Sequence, residues 1–118
     1  MEGIQKKIAV LNDLSGYGRC SLTAAMPGIS GLKGQCCPVV TAVLSNHAGY
    51  PECYMDDYTD RMEAYLEPWR KMGFEMDGIM TGFLGSARQA SIVADFIRDF
   101  KRENTQVLVD PTMGDHGH

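Results

Sequence analysis

Four short runs rich in apolar and β-branched side chains recur along the chain, at residues 8–11, 35–44, 77–81 and 106–109. Each gives way to a polar stretch bearing glycine. Between them lie segments of helical length whose apolar residues return every three or four positions. Strands that alternate with helices favour parallel pairing through right-handed crossovers. The sequence therefore predicts an α/β fold: an open, mostly parallel sheet with helices on both faces. At 118 residues the chain is sized for a single α/β domain, residues 1–118, with room for a genuine core. No internal repeat, low-complexity segment or linker divides it.

The first run leads into Asn12-Asp13-Leu14-Ser15-Gly16-Tyr17-Gly18, which reads as a sharp polar turn. Residues 19–32 then read as a helix with Leu22, Ala25, Met26 and Ile29 on one face. Pro27 is expected to kink it, and Gly31 and Gly34 to end it. Pro38 in the second run suggests an edge position or an interruption. Residues 50–60 read as a loop with Tyr50, Tyr54 and Tyr58 set among acids, either functional or a solvated acidic edge. Thr59 or Asp60 can cap a helix that runs to Met72, with Met62, Tyr65, Leu66 and Trp69 inward. Pro68 is expected to interrupt it and Gly73 to end it. Ser86-Ala87-Arg88-Gln89 is a capping-box pattern opening a helix to Arg102. Its stripe of Ile92, Val93, Phe96, Ile97 and Phe100 belongs to the core.

Composition narrows the function. An apolar content of 44% with 22% charged residues is that of a soluble globular protein. The net charge of −4 offers no basic footprint for nucleic acid. No apolar run reaches membrane-spanning length, and the start lacks the apolar segment of a secretory signal, so a cytoplasmic location is expected. Cys20, Cys36, Cys37 and Cys53 contain no Cys-x-x-Cys spacing, which suits buried thiols better than zinc or a disulfide frame.

Four loops, residues 12–18, 45–50, 82–86 and 110–118, should meet at the carboxyl ends of the strands, where open α/β sheets bind ligands. The P-loop pattern is absent. Gly16-Tyr17-Gly18 is followed by Ser21 where a dinucleotide fingerprint needs its third glycine, and no Gly-x-Ser-x-Gly elbow occurs. Asp110 and Asp115, on one strand-terminal loop with Pro111 and Gly114, could hold a hydrated Mg²⁺ or simply cap backbone donors. Their spacing leaves both open.

Four segments carry a resemblance that runs from Val10 to Gly117. They are residues 12–18; Thr41-Ala42-Val43-Leu44-Ser45-Asn46-His47-Ala48-Gly49-Tyr50; Thr81-Gly82-Phe83; and Asp110-Pro111-Thr112-Met113-Gly114-Asp115. In these the chain resembles the first part of the pyridoxal/pyridoxamine (vitamin B6) kinases of the ribokinase-like superfamily. The resemblance implies phosphorylation of the 5′-hydroxymethyl group of pyridoxal, pyridoxamine or pyridoxine with MgATP, and a monovalent cation, in a cytoplasmic homodimer. It places Asn12, Ser15, His47 and Phe83 at the substrate ring, and Asp110 and Asp115 at the nucleotide phosphates and metal. Ala48 stands where many members have threonine. The family's catalytic base is an aspartate in a later Gly-x-Gly-Asp segment, at a helix N-terminus suited to an anion. That segment would lie beyond His118, so the chain is expected to be a truncated, substrate-side part with no catalytic residue of its own. Two alternatives stand beside this reading. One is a hydroxymethylpyrimidine kinase of thiamin synthesis, which Ala48 keeps open and Ser45-Asn46-His47 opposes. The other is a non-catalytic fragment that oligomerises through exposed apolar surface.

Overall fold

A computed structural model describes residues 6–17, 21–31, 33–46, 49–82, 84 and 86–109. The elements follow in the order β1 (Lys7–Tyr17), α1 (Ser21–Gly31), β2 (Gln35–Asn46), β3 (Met55–Asp57), α2 (Thr59–Lys71), β4 (Gly78–Thr81), α3 (Ala87–Phe100) and β5 (Gln106–Val109). The strands form one sheet in the order β3-β2-β1-β4-β5. β1 pairs in parallel with β2 and β4, and β4 with β5, while β3 alone runs antiparallel to β2. The open, mostly parallel α/β sheet expected from the alternating pattern is therefore present.

Side chains alternate across the sheet, so Ala9 and Leu11 of β1 face one side and Val10 the other. On the first side Ala9, Leu11, Val39 and Ile79 meet Met62 and Leu66 of α2 and Ile92, Val93, Phe96 and Phe100 of α3. The α3 stripe read from its periodicity is thus core, and Tyr65 and Trp69 of α2 pack at its margin. α1 packs against β1 and β2. It sits on the opposite side, where Leu22 is buried but Met26 is 40% exposed. Met26 is therefore not part of a sealed face as its spacing suggested.

The helix ends explain other departures. α2 closes with Gly73 at φ 67°, its N–H donating to Arg70 O (3.1 Å) and that of Phe74 to Trp69 O (3.2 Å). This is the left-handed terminus that glycine favours. α1 ends in the same hydrogen-bond pattern, but the residue at φ 66° is Lys33, and not either of the flanking glycines. Both prolines are accommodated inside their helices. Pro68 does not interrupt α2: Met72 N–H still reaches Pro68 O at 3.0 Å, and the exposed position leaves the freed carbonyl one turn back to water. Pro38 sits where β2 has β1 on one side and no strand on the other, because β3 pairs only at Ala42, Val43 and Leu44. Its missing donor is tolerated as on an edge.

Two stretches expected as loops are strands. Residues 12–17 continue β1, and residues 55–57, inside the supposed acidic loop, form β3. The three cysteines among the described residues, Cys36, Cys37 and Cys53, are free thiols and only half-buried. Burial pushes the Cys36 and Cys37 thiols above their ordinary range.

Candidate functional site

The carboxyl ends of β1, β2 and β4 come together as the loop pattern predicted. Gly82, immediately after β4, is buried, and its N–H donates to Leu11 O at 2.8 Å. That bond sets the β4 end against Asn12. The Asn12 carboxamide lies over Gly82 so closely that a Cβ there would fall 2.6 Å from Oδ1, and nearer still to Cγ and Nδ2. Asn12 Oδ1 in turn accepts the Asp13 N–H at 2.8 Å.

The β1–β2 register slips between Asn12 and Leu14, where Asp13 alone of β1 stands opposite Thr41 and Ala42 of β2, an extra residue in β2 of the kind a β-bulge carries. Beyond it Ser15 pairs with Leu44 and Tyr17 with Asn46. Ser15 is 1% exposed, and its hydroxyl donates to the Asp13 carboxylate over 3.4 Å. Gly16 is needed for space, since a Cβ would meet Ser45 O at 2.8 Å. The glycine that suggested a turn instead allows two strands to close.

Next to this strand end, Tyr17 and Tyr50 hold their rings 5.8 Å apart. With Ser45, Asn46, Pro51 and Glu52 they line a hollow of about 450 Å³. Ser45 and Asn46 also brace the β2–β3 connection. The Ser45 hydroxyl donates to Asn46 Oδ1 (2.7 Å) and accepts Tyr54 N–H (2.9 Å), and Asn46 Nδ2 donates to Glu52 O (2.9 Å). A larger hollow of about 690 Å³ opens between Lys7, Gln35, Trp69 and Phe74, at the opposite, amino end of the sheet. None of the candidate substrate, nucleotide or metal residues read from the sequence lines it.

One residue of structural weight does more than its local pattern predicted. Ser86 caps α3 by accepting Gln89 N–H at 3.2 Å, as the capping-box pattern predicted, and beyond that pattern lies the reach of the Gln89 side chain. It is 2% exposed, and its Nε2 donates to Thr41 O (2.8 Å) and Thr59 Oγ1 (2.9 Å). Asp57 accepts both the hydroxyl of Thr59 and its N–H, the latter at 2.7 Å. These bonds from Thr59 hold the Asp57 carboxyl below its ordinary value of 3.8. Neither Thr59 nor Asp60 caps α2 as expected; the cap position is Tyr58, and Asp57 supplies the acceptor. The node ties the carboxyl half of β2 to the starts of α2 and α3. The Ser-x-x-Gln spacing pointed at Gln89 and at its bond to Ser86, and gave no sign of Thr41 or Thr59.

Of the site residues singled out from sequence, Asn12 and Ser15 are placed, both on the carboxyl half of β1. His47, Ala48, Phe83, Asp110 and Asp115 lie outside the described residues. Among the described residues no group of three His, Cys, Asp or Glu side chains could hold a metal ion. No described helix is long and apolar enough to cross a membrane.

No family model matches the chain. A pyridoxine/pyridoxal/pyridoxamine kinase of Bordetella avium is 33% identical over 109 residues, which are 86% of this chain and 36% of that protein. The fold superposes on a protein of Bacteroides thetaiotaomicron described as a phosphomethylpyrimidine kinase and solved with pyridoxal. There the TM-score is 0.91 and the identity 47%, over 98% of this chain and 40% of that one. Pyridoxal kinase from Leishmania donovani, in complex with ADP and pyridoxamine, shares the fold at a TM-score of 0.88 and 20% identity, over 97% of this chain and 43% of that one. The chain thus spans about two fifths of the length of the proteins it matches. In sequence and in its ribokinase-like fold it is a relative of the vitamin B6 kinases.

Proposed function

We propose that the chain forms the substrate-binding portion of a kinase that uses ATP to phosphorylate the 5′-hydroxymethyl group of pyridoxal, pyridoxamine or pyridoxine, a step in the salvage of pyridoxal 5′-phosphate. The observation that carries this reading is the 47% identity, across 98% of the chain, to a protein solved with pyridoxal. In this reading Asn12, Ser15, His47 and Phe83 surround the pyridine ring, with Ala48 beside them. A carboxamide both donates and accepts, so Asn12 can answer the ring nitrogen or the phenolic oxygen of such a ligand. Asp110 and Asp115 are hard oxygen donors of the kind Mg²⁺ takes, and they would hold the ion that offsets phosphate charge when nucleotide is bound. A cytoplasmic homodimer and a monovalent cation belong to the same proposal.

The test is a titration of the chain with pyridoxine, which lacks the aldehyde that reacts with surface lysines, followed by an assay for phosphorylated product in MgATP. Binding that Asn12→Ala weakens about tenfold is the expected result, the size of one lost hydrogen bond. Absence of pyridoxine binding overturns the reading. A second substrate is favoured by one specific observation, the description of the Bacteroides protein as a phosphomethylpyrimidine kinase. Competition between pyridoxine and hydroxymethylpyrimidine decides between them, and preference for the pyrimidine would move the assignment to thiamin synthesis.

A further inference from the structure

We infer that Gly82 is a positioning residue for Asn12: the absence of a side chain at position 82 sets the direction of the Asn12 carboxamide, and with it the fit of the ring-bearing alcohol. The inference rests on the substrate reading above and deepens it.

Three observations converge on it. Gly82 is fixed in place, buried, with its N–H on Leu11 O at 2.8 Å. A Cβ built on it would overlap the carboxamide of Asn12, with Oδ1 at 2.6 Å, and would touch nothing else so closely. On its other side that carboxamide is held by the Asp13 N–H at 2.8 Å. The amide plane is therefore gripped between the Asp13 backbone and the bare backbone of Gly82.

Backbone conformation does not explain the glycine. Among the described glycines only Gly73 has a positive φ, so the chain at 82 is open to any L-residue. What position 82 requires is room. The atoms in the way are the far end of one side chain, which can rotate, while both strands stay paired. Alanine at 82 is then expected to leave the fold intact and turn the Asn12 amide away. This separates a positioning role from a merely structural one.

The experiment is a double-mutant cycle on the 118-residue chain. Pyridoxine is titrated against the wild type, Gly82→Ala, Asn12→Ala and the double variant, with urea unfolding and amide NMR recorded for each. Gly82→Ala and Asn12→Ala are each expected to weaken binding about tenfold, and the double variant is expected to bind no worse than Asn12→Ala. Gly82→Ala is also expected to shift the Asn12 side-chain NH₂ and Asp13 N–H resonances while its urea midpoint stays close to that of the wild type. Wild-type strength binding by Gly82→Ala, or losses that multiply to about a hundredfold in the double variant, would overturn the inference. If the wild type binds no pyridoxine, the substrate reading fails, and the NMR result decides the positioning: unmoved Asn12 and Asp13 signals in Gly82→Ala refute it.

Discussion

On one face of the sheet, α2 and α3 bury Met62, Leu66, Phe96 and Phe100 to 2% exposure or less, whereas α1 on the other face buries Leu22 and leaves Met26 40% exposed. The helix ends differ in the same sense. α3 starts from a serine cap and α2 stops at a left-handed glycine, while α1 ends on a left-handed lysine. Arg70 adds a tie between α2 and α3, reaching Asp99 at 2.9 Å and Glu63 at 3.1 Å. The more tightly closed side also holds Gln89, the side chain that fastens the carboxyl half of β2. The α2–α3 side thus fastens the carboxyl half of β2, while the less sealed α1 packs on β1 and β2.

The largest effect should come from Phe96→Ala. Phe96 is fully buried and stacks on Phe100 with ring centres 4.3 Å apart, so the truncation should cost about 3–5 kcal/mol in urea unfolding. On the other face Met26→Ala should cost no more than about 0.5 kcal/mol. Equal losses at the two positions would erase the contrast. Next in size is Gln89→Met, which keeps volume and removes the amide. It leaves Thr41 O and the Thr59 hydroxyl without that donor, for a loss of about 1–3 kcal/mol. Amide exchange should speed up first at Thr59, and unchanged exchange there would deny the node its role.

The division between what could be read from the sequence and what could not follows the range of the interactions involved. The α3 stripe, the inner face of α2 and the parallel strands are local repeats of apolar spacing, and all appear in the fold. β3 could not be read, because its three residues are exposed, two are aspartates, and it is held by backbone pairing to β2. The extension of β1 through residues 12–17 is polar, and its pairing depends on room made by Gly16 beside Ser45. The candidate site residues were proposed from motifs, but the Asn12–Gly82 contact joins positions far apart in the chain, and no local pattern encodes it. Gln89 shows the intermediate case: the spacing marks the residue, and only the tertiary fold gives its partners.

Smaller tests sharpen the contrast at the helix ends. Lys33→Gly should stabilise the protein by about 0.5–1 kcal/mol, since lysine at φ 66° carries a strain that glycine lacks, partly offset by glycine's greater chain entropy. A destabilised variant would mean that the α1 terminus is already optimal. Asp57 should give the smallest effect, visible only in acid. Its carboxyl is held below 3.8 when folded, so it binds fewer protons folded than unfolded in that range. Its contribution is full above 3.8 and is lost as pH falls through the lower folded value. Asp57→Asn should flatten the pH dependence of the urea midpoint in that window and leave other regions of the profile alone.

Trp69 is the single tryptophan of the chain, and its indole contacts the rings of Tyr65, Phe74, Phe96 and Phe100 at 5.8–6.3 Å between centres. Its emission is therefore a built-in optical gauge of whether α2 and α3 are seated together. Light emitted by one side chain can follow the closing of that half of the molecule without any attached dye, and it says nothing directly about α1.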